Sequence, residues 1–225
     1  MTRALVLRHH LEDSPGLIGE ALAARGVELD VHLLNESSAT PSLEGHGLLV
    51  VLGSKCAVYD HEVEAAWFGR ELDLMAEADR EGVAILGICF GAQALCRLFG
   101  GEVSRAPQGE VGWFDVEVAE GVGLSSGPWF EFHFDHCALP EGAAVWATSP
   151  RAVQAFALGR HVGVQFHPEI DAEQLGEWLA ADPDDARELG LDVEALLART
   201  ARETPAARER AQGLVDLFLA HAALA

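Results

Sequence analysis

Val83-Ala84-Ile85-Leu86-Gly87-Ile88-Cys89-Phe90-Gly91-Ala92-Gln93 is the stretch on which the reading of this chain turns. Val83 to Leu86 form a short apolar, β-prone run, and Ala92 to Phe99 are compatible with a helix. Between them stands a cysteine, with Gly87 before it and Gly91 after it. A cysteine at a strand-to-helix corner reads as a nucleophile elbow. The tight turn lifts the side chain above the sheet, and the glycines make room for a strained backbone and for close approach of a substrate. The helix that begins there points its free N–H groups and its dipole at the sulfur, which favours a thiolate. The competing reading is a buried structural cysteine, the common fate of a free thiol.

Outward from the elbow, the first half of the chain alternates strand and helix signals. Arg3 to Arg8 reads as a strand, and Ser14-Pro15 as an N-cap with proline at the first helical position. Gly26 closes that helix. Val27 to Leu34 alternates apolar and polar, and Leu48 to Leu52 is continuously apolar, as in a strand buried on both faces. Asp60 caps the next helix, with Val63, Trp67, Leu74 and Met75 as inward positions. This order predicts a doubly wound, mostly parallel sheet, whose sites lie beyond the carboxyl ends of the strands. Gly53-Ser54 and Cys89 fall on that rim. From Gly112 onward, short runs at 112–118, 129–134, 145–148, 153–158 and 162–166 predict an antiparallel excursion returning to the main sheet. Asp171 opens a helix through Leu179 with a capping-box pattern. Thr204-Pro205 is read as the start of the last helix, with Leu214, Leu217, Phe218 and His221 on one stripe. Residues 1–225 are read as a single domain, with about 181–225 as a helical C-terminal extension closing the core or, as the lesser alternative, a docking surface.

Composition narrows the function classes. The chain of 225 residues is 49% apolar and carries a net charge of −21, with Lys55 as its only lysine. That charge argues against nucleic acid and anionic membrane as partners. No apolar run approaches the ~20 residues of a membrane-spanning helix, and the N-terminus reads as a strand rather than a signal peptide. The expected setting is the cytoplasm. Cys56, Cys89, Cys96 and Cys137 show no C-x-x-C or zinc-type spacing and read as reduced thiols. No metal ligand set is identified, and neither a metal nor an organic cofactor is expected.

A nucleophilic cysteine needs a base, the base an orienting group, and the developing oxyanion hydrogen-bond donors. Val164-Gln165-Phe166-His167-Pro168-Glu169 supplies the first two. His167 follows a strand, Pro168 stiffens the backbone, and Glu169 can reach the imidazole nitrogen that does not face the cysteine. The bland alternative for His167 is one of ten histidines serving a structural or surface role.

Together these pieces resemble the class I glutamine amidotransferase family, with nucleophile motif G-x-C-x-G-x-Q and base motif H-P-E. The resemblance extends over residues 45–170. Val51-Leu52-Gly53 followed by Tyr59-Asp60 is similar to the family's oxyanion loop. Glu110-Val111-Gly112-Trp113 is similar to its E-x-G-aromatic strand, and His133-Phe134-Asp135 with Leu139 to Ala143 to its H-G-D…L-P-x-G-A segment. The sub-type it most resembles is the stand-alone proteins similar to the amidotransferase domain of GMP synthase, with a flavodoxin-like α/β fold. The resemblance implies that Cys89 attacks the glutamine carboxamide, with His167 as base and Glu169 as its orienter. It implies an oxyanion hole from backbone N–H groups of Gly53 or Ser54 and of Phe90. Gln93, Phe132, Phe134 and Asp135 are then the residues that bind or wall in the substrate.

The chain departs from the family pattern in three places. Ser54 replaces a second glycine in the oxyanion loop, which backbone donors tolerate if φ stays negative there. Phe134 replaces the glycine of H-G-D and bears on which γ-glutamyl compound fits. Lys55 follows the loop, either attracting a substrate carboxylate or simply solvating the surface. Asp135 is equally readable as a structural turn residue. No phosphate loop of the G-x-x-x-x-G-K-[ST] type is present, so an ammonia-accepting synthetase is expected on another chain. Alternatives are a stand-alone hydrolase of γ-glutamyl amines or peptides and a non-catalytic binding or regulatory subunit. The oligomeric state is not read from the sequence.

Overall fold

The computed structural model describes residues 2–224. In the first half, β1 (Arg3–Arg8), β2 (Glu28–Leu33), β3 (Leu48–Val51) and β4 (Ala84–Ile88) alternate with helices. In the second half follow β5 (Glu102–Phe114), β6 (Glu117–Val118), β7 (Trp129–Ala138), β8 (Ala144–Thr148), β9 (Val153–Leu158) and β10 (His161–Val164). Eight of these form one sheet in the order β2-β1-β3-β4-β10-β9-β8-β6. The first five of that order run parallel; β9, β8 and β6 are added antiparallel. This is the flavodoxin-like, mostly parallel α/β architecture expected from the alternation.

Burial explains the sequence patterns. β3, β4 and β10 are buried along their whole length, which is why β3 and β4 read as unbroken apolar runs. Along β1 successive side chains serve opposite faces: Ala4 and Val6 join one apolar cluster, Leu5 and Leu7 the other. One face is covered by α1 (Gly16–Ala24), α5 (Ala172–Ala181) and α7 (Val193–Leu224), with α6 (Pro183–Glu188) between the last two. The other is covered by α3 (Gly69–Glu81) and α4 (Phe90–Leu98). Ahead of α3 lie α2 (His61–Val63) and a π-helical turn, Glu64–Phe68. Asp60 caps α2, its carboxylate accepting from the N–H groups of Glu62 and Val63. Trp67, Leu74 and Met75 are buried and Val63 is half-buried.

Four sequence expectations are corrected. The antiparallel excursion splits: β6, β8 and β9 extend the main sheet, whereas β5 and β7 pair as a separate two-stranded ribbon. β5 starts ten residues before Gly112, because pairing with β7 carries polar residues that have no apolar alternation of their own. Pro15 occupies the N-cap of α1, and the Ser14 hydroxyl accepts from the Gly16 N–H instead. The last helix does not begin at Thr204-Pro205; α7 runs through Pro205. Proline removes one helical N–H donor there, while the Thr204 hydroxyl donates to the Thr200 carbonyl one turn back. Packing of Ala207, Ala211, Leu214 and Phe218 into the sheet cluster outweighs the missing bond.

Candidate active site

The elbow is built by backbone geometry that tolerates no alternative nearby. Cys89 has φ 51° and ψ −105°, the only non-glycine residue with positive φ among those described. Such conformations cost roughly 1–3 kcal/mol and persist where the surroundings over-determine them. Here the Cys89 N–H donates to the Val164 carbonyl at 2.8 Å, and its carbonyl accepts from the Gln93 N–H at 3.0 Å. A side chain on Gly87 would overlap the Gly91 carbonyl, and one on Gly91 would overlap the Val51 carbonyl. The two glycines therefore let β4, α4 and β3 meet at van der Waals distance.

Opposite the elbow stands His167, just beyond β10. Its N–H donates to the Phe130 carbonyl at 2.7 Å, and the Glu169 carbonyl accepts from the Leu17 N–H at 2.9 Å. The segment is thus tied to both β7 and the start of α1. His167 Nδ1 lies 2.8 Å from Glu169 Oε1, both groups buried. The remaining ring nitrogen is left without another partner among the described residues, and the imidazole and the Cys89 side chain line one cavity and both lie against Gly53. Burial alone would push the imidazole down. The Glu169 carboxylate and the negative end of Cys89 outweigh it and hold His167 well above the ordinary histidine value. The edge of Trp178 closes over the imidazole, with ring centroids 5.0 Å apart.

The loop after β3 completes the ring of contacts. A Cβ on Gly53 would stand 3.0 Å from His167 Cε1 and 3.7 Å from Cys89 Cβ, so the loop abuts both. The backbone φ of Ser54 is not positive, which satisfies the condition for serine in this loop. The N–H groups of Ser54 and Phe90 donate to no acceptor among the described residues. Phe90 N–H is a first-turn orphan of α4, the kind of donor that helix ends leave free.

Gln93, Phe132, Phe134, Asp135 and Lys55 all line one cavity with Cys89 and His167. Gln93 is buried and donates to Gln165. Asp135 accepts from the Tyr59 hydroxyl at 2.9 Å and lies 4.0 Å from Arg105. The Arg105 guanidinium stacks over the Phe134 ring at 4.7 Å. Lys55 is half-exposed and pairs with Asp182, a contact spanning the mouth of the cavity from α5.

His133 is part of the cavity lining, and its Nε2 lies 3.3 Å from a carboxylate oxygen of each of Glu110 and Glu131. Its Nδ1 meets the Asp135 carbonyl at 3.0 Å. Burial works against the charged ring, yet the two carboxyls overcome it and push His133 up to about 10. One N–H cannot serve two carboxylates equally. Glu110 also accepts from Ser149 and Gln154 and is held below its ordinary value despite burial. Glu131 has no such support, and burial pushes it up to about 7, His133 offsetting only part.

Sequence reasoning missed several residues of the site. His10 and Asp13, after β1, line the cavity, as do Trp178, Leu179, Asp182 and Ala186 from the C-terminal helices. The first pair carries a usable signal, since both follow the carboxyl end of a parallel strand. The helical residues carry none, because their approach to the site is a matter of tertiary packing.

A doubly wound α/β sheet with a cysteine on a strand-to-helix elbow, beside a buried His–Glu pair, defines a class of α/β proteins built around that rim. Within that class the chain belongs to the class-I glutamine amidotransferase family, whose model matches residues 16–182. It is 39% identical over 121 residues to a glutamine-hydrolysing GMP synthase of Aeropyrum pernix, covering 50% of this chain and 23% of that protein. It is 30% identical over 167 residues to the glutamine-hydrolysing GMP synthase of Helicobacter pylori, covering 71% of this chain and 31% of that one. The chain thus spans less than a third of these relatives' length. Among solved structures it is similar to a glutamine amidotransferase of Thermotoga maritima, with a TM-score of 0.86 and 26% identity over 96% of this chain and 97% of that one. A glutamine amidotransferase of Methylobacillus flagellatus shares the fold, with a TM-score of 0.85 at 22% identity, covering 98% and 95%.

Proposed function

We propose that this chain hydrolyses the side-chain amide of glutamine through a thioester on Cys89 and hands the ammonia to a synthetase on another chain. The observation that carries this reading is the buried, hydrogen-bonded His167–Glu169 pair sharing a cavity with Cys89 beside the Gly53-Ser54 loop. His167 takes the thiol proton, with Glu169 fixing the ring so that the other nitrogen faces sulfur. The thiolate attacks the amide carbon, and the oxygen, now negative, meets the N–H groups of Phe90 and of the loop, Gly53 or Ser54. His167 returns its proton to the amide nitrogen, the C–N bond breaks, and ammonia leaves. Water, deprotonated by the same imidazole, then opens the thioester to give glutamate and restore the thiol. The steps balance on side chains and water. Gln93, Phe132, Phe134 and Asp135 position the substrate. Lys55, paired with Asp182, presents a cation toward the glutamate end of the ligand while remaining neutralised overall.

The GMP synthase relatives, of which this chain covers a minor part, support an ammonia-accepting partner. The four free cysteines fit a reducing, cytoplasmic setting. Among the described residues no helix is long and apolar enough to cross a membrane. A second reading is a self-sufficient hydrolase of γ-glutamyl amines. The apolar wall of Phe132, Phe134, Trp178 and Leu179 favours it, being more than departing ammonia requires. Ammonia release from glutamine and amine release from γ-glutamyl amines, measured on the chain alone and with an added ATP-dependent synthetase, test both. Glutamine turnover raised by the synthetase upholds the first reading; strong turnover of γ-glutamyl amines by the chain alone upholds the second.

A further inference from the structure

Beneath the Gly53-Ser54 loop lies a second histidine–glutamate pair that the chemistry above does not use. His9 Nδ1 stands 2.7 Å from the Gly53 carbonyl oxygen, and its Nε2 stands 2.7 Å from Glu71 Oε2. Both side chains are almost fully buried, at 1% and 0% exposure. His9 does not line the cavity, whereas Gly53 and Ser54 do. The ring is clamped between Trp67 and Phe90, with centroids 4.8 and 5.2 Å away.

The placement follows from the chain. His9 comes directly after β1, at the same sheet rim as Cys89. Glu71 sits in the first turn of α3, just after the π-helical turn. That turn is one residue wider than an α-turn, and Trp67 and Phe68 both point inward from it. A carbonyl oxygen only accepts, so Nδ1 must carry a proton. A neutral ring with its proton on Nε2 would turn a lone pair toward the Gly53 oxygen. With Glu71 accepting at Nε2 and the Gly53 carbonyl accepting at Nδ1, both ring nitrogens donate, and that tautomer is excluded. Burial lowers His9, but Glu71 overcomes it and holds the ring above its ordinary value, in agreement with that arrangement.

The Gly53 carbonyl and the Ser54 N–H belong to one planar trans peptide and point in opposite directions. Fixing the carbonyl toward His9 therefore fixes the Ser54 N–H away from His9. Resting on the glutaminase reading above, we propose that His9 and Glu71 are positioning residues, locking the Gly53–Ser54 peptide so that the Ser54 N–H faces the oxyanion formed at Cys89. Gly53 has no Cβ to resist rotation of that peptide, so the hydrogen bond from His9 supplies the constraint. Of the two loop donors considered, Ser54 rather than Gly53 is the one assigned.

The test uses three variants of the full chain: the volume-filling double variant His9→Leu/Glu71→Met, His9→Asn, whose amide can donate near the Nδ1 position, and Glu71→Gln, which can donate to Nε2. In the double variant kcat for glutamine should fall roughly 10²–10³-fold, as for loss of one oxyanion donor. KM and the rate of Cys89 alkylation by iodoacetamide, a displacement that forms no oxyanion, should stay within a few-fold. His9→Asn and Glu71→Gln should recover most of kcat. Crystal structures of wild type and double variant form an arm independent of turnover, and the Gly53–Ser54 peptide should be rotated in the variant. An unrotated peptide in the folded double variant overturns the proposal, as does a kcat near wild type. Alkylation falling together with kcat also overturns it, by showing general damage to the site. No turnover by wild type with a rotated peptide in the variant overturns the glutaminase reading and leaves the peptide lock standing.

Discussion

At the residue scale, Cys89 spends conformational energy for position. Its strained backbone is affordable only because Gly87 and Gly91 let three elements touch. Gly91→Ala should therefore lower stability by about 3 kcal/mol or more, the scale of overpacking against backbone, seen as a large drop in Tm. His133 and Glu131 give a pH signature. Glu131 is raised to about 7, so its contribution to stability is full below the ordinary carboxyl range and is lost as pH rises through about 7. His133 is raised to about 10, so its contribution holds below the ordinary histidine range and is lost as pH rises through about 10. Glu131→Gln should flatten the fall in stability between pH 5 and 8. Urea melts at both values check this, and an unchanged pH slope would count against a Glu131 carboxyl raised by burial.

At the element scale, the carboxyl ends of β1, β3, β4 and β10 deliver His9, Gly53, Cys89 and His167 to one rim. The part of that convergence made by Gly53, Cys89 and His167 was legible in the sequence because parallel strands announce themselves as apolar runs and the motifs sit directly after them; His9 belongs to no motif and was not. The π-helical turn at Glu64–Phe68 was not legible, since one inserted residue leaves no compositional trace. Nor was the course of α7: Pro205 is a local stop signal, and only packing of distant residues overrides it. Pro205→Ala should restore a helical hydrogen bond and raise stability by about 1 kcal/mol or more, read from thermal melts. Phe218→Ala, from the same helix, should cost about 3–5 kcal/mol, because Phe218 is fully buried in the sheet cluster. A cost near zero would show that α7 is an appendage rather than part of the core.

At the scale of the whole molecule, the fold of the family is joined to a cavity whose inner half follows the family motifs and whose outer half is built from other segments. Family motifs made the inner half readable: the Cys89 elbow, the His167-Pro168-Glu169 segment and the loop at Gly53. The outer half is assembled by Arg105, Phe134, Trp178 and the Lys55–Asp182 pair, from segments remote in sequence; Phe134 alone of these stands in a family motif, as a departure from it. We propose that residues 1–225 act as one domain, with the C-terminal helices forming both a core layer and the mouth of the site. Phe134→Gly should widen the wall and change the ratio of glutamine to γ-glutamyl amine turnover several-fold, while Cys89 alkylation stays unchanged; a constant ratio would remove Phe134 from substrate choice.

The central claim is that Cys89 carries a glutamyl group during turnover. Acid quenching of the chain with glutamine, followed by intact mass spectrometry and peptide mapping, tests it most directly. The account predicts a mass increase of one glutamyl group, located on Cys89 and absent from Cys89→Ala. Ammonia release that persists in Cys89→Ala, or a glutamyl group located on Cys56, Cys96 or Cys137 instead, would contradict it.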